Sequence, residues 1–217
     1  MALLDFAAER RAPDFAGFIH GAGAEAAVAG AAAAARLEAS AYLWGAAGCG
    51  KSHLLAAAVR QAEAAGARIM RPGDADPGAG LAVIDGAEAL DEAAQAEALR
   101  LLDAAVADGG PRVLAAGALP ARRLELRADL RTRLEALPAF ELPQLDDAAL
   151  ADALVASARR RRRELPEAVA AELVALLPRR MDALAAALDE LDLHALEANL
   201  RLSPAAVRRW LKERGAA

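Results

Sequence analysis

The residues whose types and spacing best suit chemistry are Gly45, Ala46, Ala47, Gly48, Cys49, Gly50, Lys51 and Ser52. The pattern Gly-x-x-x-x-Gly-Lys-Ser is built for phosphate. Its glycines let successive backbone N–H groups curl around anionic oxygens, its lysine reaches the β- and γ-phosphates, and its serine hydroxyl oxygen is a ligand for Mg2+. Glycine-rich turns produce such runs by chance, so the flanks decide. Residues 41–44 are a short apolar run with two aromatics, ended by Gly45, which predicts a buried strand. Residues 51–65 carry helix-forming types up to Gly66, so Lys51, Ser52 and His53 fall at the start of a helix whose N-terminal dipole favours anions.

A second candidate is Asp85, which ends the apolar run 81–84. An acid at the end of a buried strand can hold the water shell of Mg2+. ATPases often carry a second acid directly after it to polarise water, and here that place is Gly86. Glu88 follows and reads as a solvent-facing residue opening the next helix. These residues predict nucleotide binding with weak or no ATPase activity of the chain's own. His20, His53 and His194 show no metal-ligand spacing, so nucleotide-bound Mg2+ is the one metal expected. Cys49 is the single cysteine and cannot form an intramolecular disulfide, which suits a reducing cytosol.

The elements that must carry these residues alternate. Hydrophobic residues make up 56% of the chain and aromatics only 3%, so the interior must be filled by Ala, Leu and Val, and the alanine tracts favour helices. Residues 1–14 belong to an irregular arm with few periodic signals. A helix is expected over 25–37, strands over 41–44, 68–70, 81–84 and 112–116, and helices over 51–65 and 88–106. Strands that are nearly all apolar between helices imply an α/β fold with a parallel sheet covered on both faces. From Asp146 the pattern is helix only, over 147–163, 166–177, 181–199 and 203–214. Residues 1–145 therefore read as an α/β nucleotide-binding domain with its N-terminal arm, and 146–217 as an all-helical domain.

A net charge of −5 denies the chain the global footprint of a DNA binder and leaves room for a local patch, of which the five arginines at 159–163 are the candidate. Like-charge runs are usually solvated, and cations suit a helix C-terminus. No charge-free apolar stretch is long enough to span a bilayer, and residues 1–9 lack the apolar core of a secretory signal. A cytoplasmic protein with no membrane partner is expected.

Residues 41–55, with their strand, phosphate loop and helix start, resemble AAA+ proteins of the DnaA branch, and among them the short Hda-like regulators. Residues 15–21 are similar to the family segment that lies against adenine, which implies a cofactor contact by Phe18 and Ile19. Leu130-Arg-Thr-Arg-Leu134 resembles the arginine-finger motif, with Arg133 as the residue offered to a neighbour's γ-phosphate and Arg131 as the alternative. Residues 163–169 resemble the Leu-Pro-x-x-Val signature of the helical lid. The resemblance runs from about Phe15 to the end of the sequence, which stops after the lid.

That resemblance implies an AAA+ fold, ADP or ATP with Mg2+ as cofactor, a nucleoid-associated place of action, and DnaA as a partner whose bound ATP is driven to ADP. It also implies a second partner, the DNA polymerase sliding clamp (β subunit), and through it an indirect link to DNA. The family's clamp peptide is Gln-x-x-Leu-x-Phe. Leu4 and Phe6, with Leu3 beside them, match its apolar half, and Met1 stands at the Gln position. Three places depart from an active ATPase: Gly86, the segment Ala115, Ala116 and Gly117 where a polar sensor is usual, and Asp182 where the lid usually has an arginine. Other readings stay open: a stand-alone AAA+ loader or remodeller, a non-catalytic DnaA-binding adaptor, a homo-oligomer as a further assembly, and both finger candidates as surface arginines paired with Glu125, Asp129 or Glu135.

Overall fold

The pleat of the short apolar strands sends alternate side chains to opposite faces, and two cores result. In the computed structural model, which describes residues 13–18, 21, 23–74, 79–198 and 201–215, the strands are β1 (Ala41–Trp44), β2 (Ile69–Met70), β3 (Leu81–Ile84), β4 (Arg112–Gly117) and β5 (Ala139–Glu141). They form one parallel sheet in the order β2-β3-β4-β1-β5. Leu43, Leu81, Val83, Leu114 and Ala116 enter one core with α1 (Glu25–Ala35) and α2 (Lys51–Ala64). Tyr42, Ala82, Ile84, Val113 and Ala115 enter the other with α3 (Glu92–Ala104) and α4 (Ala128–Glu135). Alanines at the contacts, such as Ala27, Ala31 and Ala58, are fully covered and carry no long side chain to order.

This α/β unit ends at Gln144, and a helical unit begins at Leu145. The second contains α5 (Asp147–Arg160), α6 (Glu167–Leu176), α7 (Met181–Glu197) and α8 (Pro204–Gly215). Leucines at helical spacing, including Leu150, Leu154, Leu173, Leu184 and Leu191, build one core with Val207 and Trp210. The caps are written in the sequence. Asp146 accepts a hydrogen bond from Ala149 N at 2.8 Å, and Ser203 from Ala206 N at 3.2 Å with Pro204 opening the helix.

Three local expectations change. The helix expected over 88–106 is two pieces, a 3-10 turn at Ala87–Ala89 and then α3, because the Asp91 side chain caps Ala94 N at 2.8 Å and starts the helix there. The helix expected to reach 163 stops at Arg160, since Arg162 adopts a left-handed φ of +58°. Helix α4 and strand β5 were not anticipated: α4 has eight residues, four of them charged, and β5 has three. No helix among the described residues is long and apolar enough to cross a membrane.

Candidate functional site

Strand β1 lies inside the sheet between β4 and β5, and its C-terminal end delivers the chain to the phosphate loop. Gly45 N donates to Gly117 O at 3.3 Å, which ties the loop to the end of β4. A Cβ at Gly45 would lie 2.3 Å from Leu142 O and 2.9 Å from Cys49 Sγ, so the backbone and the buried thiol exclude any side chain there. Gly50 has φ +104°, a conformation that L residues rarely adopt, and from it α2 begins at Lys51. Ala46, Ala47 and Gly48 stay exposed. The Lys51 ammonium is folded into the loop, donating to Gly45 O at 2.6 Å and Ala46 O at 3.0 Å, with Cys49 Sγ at 3.8 Å. The loop thus combines exposed residues at 46–48 with a cation folded against its first two carbonyls, and backbone amides beside an ammonium are what a phosphate takes.

Ser52 and Asp85 line a single cavity of about 320 Å3. Its apolar wall is Leu55, Ala56, Val59 and Val83, and Pro13, Arg60 and Arg71 complete it. Serine hydroxyl and aspartate carboxylate oxygens are donors that Mg2+ takes, with its other positions left to water and phosphate. Among the described residues no group of three or more His, Cys, Asp or Glu could hold a metal by itself. The donor set suits a metal carried in by a nucleotide.

The segment 13–18 lies along α2. Arg60 Nη1 donates to Pro13 O at 3.3 Å, and His53 Nε2 lies 3.2 Å from Asp14 O. The Phe18 ring packs on His53 with centroids 5.3 Å apart, and a Cβ at Gly50 would meet Phe18 Cε2 at 2.6 Å. Phe18 and His53 are therefore brought together at the start of α2. Ile19, and the clamp-peptide residues Leu3, Leu4 and Phe6, lie outside the described residues.

At the end of β4 there is no space for a polar sensor. Ala115 and Ala116 are fully buried, and a Cβ at Gly117 would lie 2.3 Å from the Tyr42 hydroxyl and 3.3 Å from Glu88 Oε2. Tyr42 donates to Leu119 O at 2.6 Å, and burial, with the Glu88 carboxylate adding to it, pushes its phenol well above the ordinary value. Glu88 is exposed, as expected, but it is no idle surface residue: its carboxylate accepts from Ala118 N at 2.9 Å and braces the β3 and β4 ends against each other. In the helical unit, Asp182 is exposed on the first turn of α7, and Arg180 hydrogen-bonds its carboxyl and holds it below the ordinary range.

Both finger candidates sit on α4. Arg131 lies 3.8 Å from Glu135 along the helix. Arg133 pairs with Asp103 of α3 at 2.7 Å and not with Glu125, Asp129 or Glu135, and its side chain stays 48% exposed. Asp129 pairs with Arg127. Nothing local in the sequence marks Asp103 and Tyr42, because their partners lie 30 or more residues away.

No protein-family model matches the chain. Among solved structures it is similar to domain III of the replication initiation protein DnaA of Thermotoga maritima, with TM-score 0.77 and 17% identity over 92% of this chain and 95% of that one. It is also similar to AMPPCP-bound DnaA of Aquifex aeolicus (0.72, 17%, 94% and 70%) and to the RuvB Holliday junction branch migration motor of Thermotoga maritima (0.70, 16%, 93% and 72%). At these identities the likeness defines a fold. The chain has the AAA+ P-loop α/β fold of DnaA domain III and RuvB.

Proposed function

We propose that the chain is an Hda-like regulator of replication initiation: it binds ADP or ATP with Mg2+ and stimulates hydrolysis of the ATP held by DnaA, limiting re-initiation. The observation that carries this reading is an exposed arginine, Arg133, in an AAA+ fold whose own sensor position is filled. The phosphate loop supports nucleotide binding through backbone N–H groups, with Lys51 exchanging its carbonyl acceptors for phosphate oxygens and Ser52 and Asp85 holding the metal side. When bound, Mg2+ offsets phosphate charge. Gly86 and Gly117 provide no side chain to polarise water, which supports weak or absent hydrolysis at this site.

Arg133 then acts on the partner. A guanidinium supplied in trans stabilises charge on the transferring phosphoryl group and raises hydrolysis by about 10³–10⁵-fold. Its pair with Asp103 is half exposed and is worth about 1 kcal/mol or less, so parting it is cheap against that gain. Tethering to the sliding clamp through Leu3, Leu4 and Phe6 completes the proposal and brings the chain to DNA indirectly.

The test starts from DnaA preloaded with labelled ATP, mixed with clamp-loaded DNA with and without this protein. Conversion to ADP is expected to accelerate with wild type and not with Arg133→Ala, while the variant binds nucleotide as before. Equal acceleration by Arg133→Ala overturns the finger. Inhibition of DnaA without conversion favours a non-catalytic adaptor, and steady turnover by the purified protein alone favours a stand-alone ATPase.

A further inference from the structure

The five arginines at 159–163 divide into two sets. Arg161 and Arg163 turn toward α7: Arg161 Nη1 lies 3.5 Å from Asp189, and Arg163 Nη1 lies 2.5 Å from Asp189 and 3.0 Å from Asp192. Arg159, Arg160 and Arg162 are exposed, and their side chains have no hydrogen bond or ion pair among the described residues. The contrast with the rest of the helical unit is sharp. Arg179, Arg180, Arg208, Arg209 and Arg214 each hold a carboxylate, and of its other described arginines only Arg201 shares the unpaired condition.

The backbone fixes where these three stand. Arg162 N donates to Arg159 O at 2.9 Å and Arg163 N donates to Ala158 O at 3.0 Å, the paired closure of a helix end whose left-handed residue is usually glycine. Here that residue is Arg162, at φ +58°. The other non-glycine with positive φ among the described residues, Leu37, packs against a core, whereas Arg162 is exposed. An arginine kept where glycine is the less strained choice points to a use for its side chain.

We infer that Arg159, Arg160 and Arg162 form a direct contact site for the phosphodiester backbone of a nucleic acid. Arg159 and Arg160 are successive helical residues that point about 100° apart, and Arg162 leaves from the left-handed turn beyond the helix end, so the three guanidiniums start in different directions. A polymer with an anion at every repeat satisfies diverging cations, and the guanidinium fork matches phosphate oxygens in pairs. Such contacts carry no sequence preference. The inference goes beyond the DnaA reading and does not depend on it, since it needs neither Arg133 nor the clamp.

The experiment uses the full chain with ADP and Mg2+, without clamp or DnaA, and a short labelled duplex and its single strand. Affinity is followed between about 50 and 200 mM salt. Wild type is expected to bind both with a log–log salt slope. The variant Arg159→Gln/Arg160→Gln/Arg162→Gln is expected to lose about 2–3 from the duplex slope, since each phosphate contact contributes about 0.9. The corresponding triple Lys variant keeps the slope, which separates charge from fold, and thermal melting of all three checks that the turn survives. No binding by wild type, or an unchanged slope in the Gln variant, overturns the site. Displacement of the duplex by polyglutamate at equal charge overturns the choice of nucleic acid in favour of an acidic protein surface.

Discussion

In the α/β unit several ion pairs between described residues join near neighbours in sequence: Arg36 with Glu38, Arg100 with Glu97, Arg127 with Asp129 and Arg131 with Glu135. In the helical unit most join different helices, with Arg180–Asp182 and Arg209–Glu213 the local pairs. Arg163 reaches Asp189 and Asp192 on α7, Arg179 leaves the turn before α7 for Asp147 on α5, Arg208 on α8 reaches Glu172 on α6, and Arg214 on α8 reaches Glu190 on α7. The difference follows from what else holds the elements. A parallel sheet fixes β1, β3 and β4 by ladder hydrogen bonds with a definite register, so side chains need not do it. Helices satisfy their own backbones, and only side chains can join them. Against that background Arg133–Asp103 stands apart, a pair between α4 and α3 that no near neighbour in sequence supplies. It holds the proposed finger on the surface of α4 without burying it.

The comparison predicts that the α/β unit is most sensitive where backbone meets backbone. Gly45→Ala places a Cβ 2.3 Å from Leu142 O, and no rotamer change can relieve a clash with a carbonyl. Overpacking of this kind costs about 1–3 kcal/mol. Nucleotide affinity is expected to fall by a similar free energy, on the order of 10–100-fold, read by titration with labelled ADP beside thermal melting. Normal affinity in Gly45→Ala would mean that the loop has more room than its contact with β5's C-terminal extension allows.

Much of this architecture was legible in the sequence because it is local. The strands at 41–44 and 81–84 are apolar runs closed by Gly45 and Asp85, and the phosphate loop is eight consecutive residues. What was hidden depends on register. Pairing of β1 with β4 sets Tyr42 opposite Ala115 and Trp44 opposite Gly117, and only then does the Tyr42 hydroxyl reach Leu119 O and fill the space beside Gly117. Strand β5 is three residues with an exposed, half-buried, exposed pattern, too short for any period to be read. Residues 128–135 offered only Leu130 and Leu134 as apolar anchors, so α4 showed as a motif and not as a helix.

A smaller effect sharpens the same contrast. Asp189→Ala removes the carboxylate shared by Arg161 and Arg163, both only partly exposed, and leaves Asp192 as the acid facing Arg163. Solvent screening keeps such pairs near 1 kcal/mol each, so a loss of about 1–2 kcal/mol is expected. Faster amide exchange in α5 and α7 is the readout. Asp129→Ala, which removes a pair two residues apart, should leave exchange in β1 and β4 unchanged. Equal responses in the two units would remove the distinction between ladder-held and side-chain-held elements.

The smallest expected effect is a pH dependence, and its sign is opposite to the usual behaviour of a salt-bridged acid. Burial raises the Asp192 carboxyl above its ordinary value of 3.8; Arg163 opposes the shift, and the charge on Asp189 adds to it. A carboxyl with a raised value in the native state holds its proton more tightly folded than unfolded. Stability contributed by this group therefore grows as pH falls through the raised value and levels off below 3.8. At neutral pH the ionised, half-buried group is a cost that Arg163 only partly offsets. Asp192→Asn keeps the shape and removes the titration, so the variant should be the more stable at neutral pH and its advantage in unfolding free energy should shrink as the solution is acidified. Taking that difference cancels the other acids, including Glu213 and Asp182, whose partners lower them and whose contributions run the opposite way. A variant less stable than wild type at neutral pH, with that deficit closing on acidification, would show that the Arg163 pair outweighs burial at Asp192, and that this helix-joining acid is net stabilising when charged.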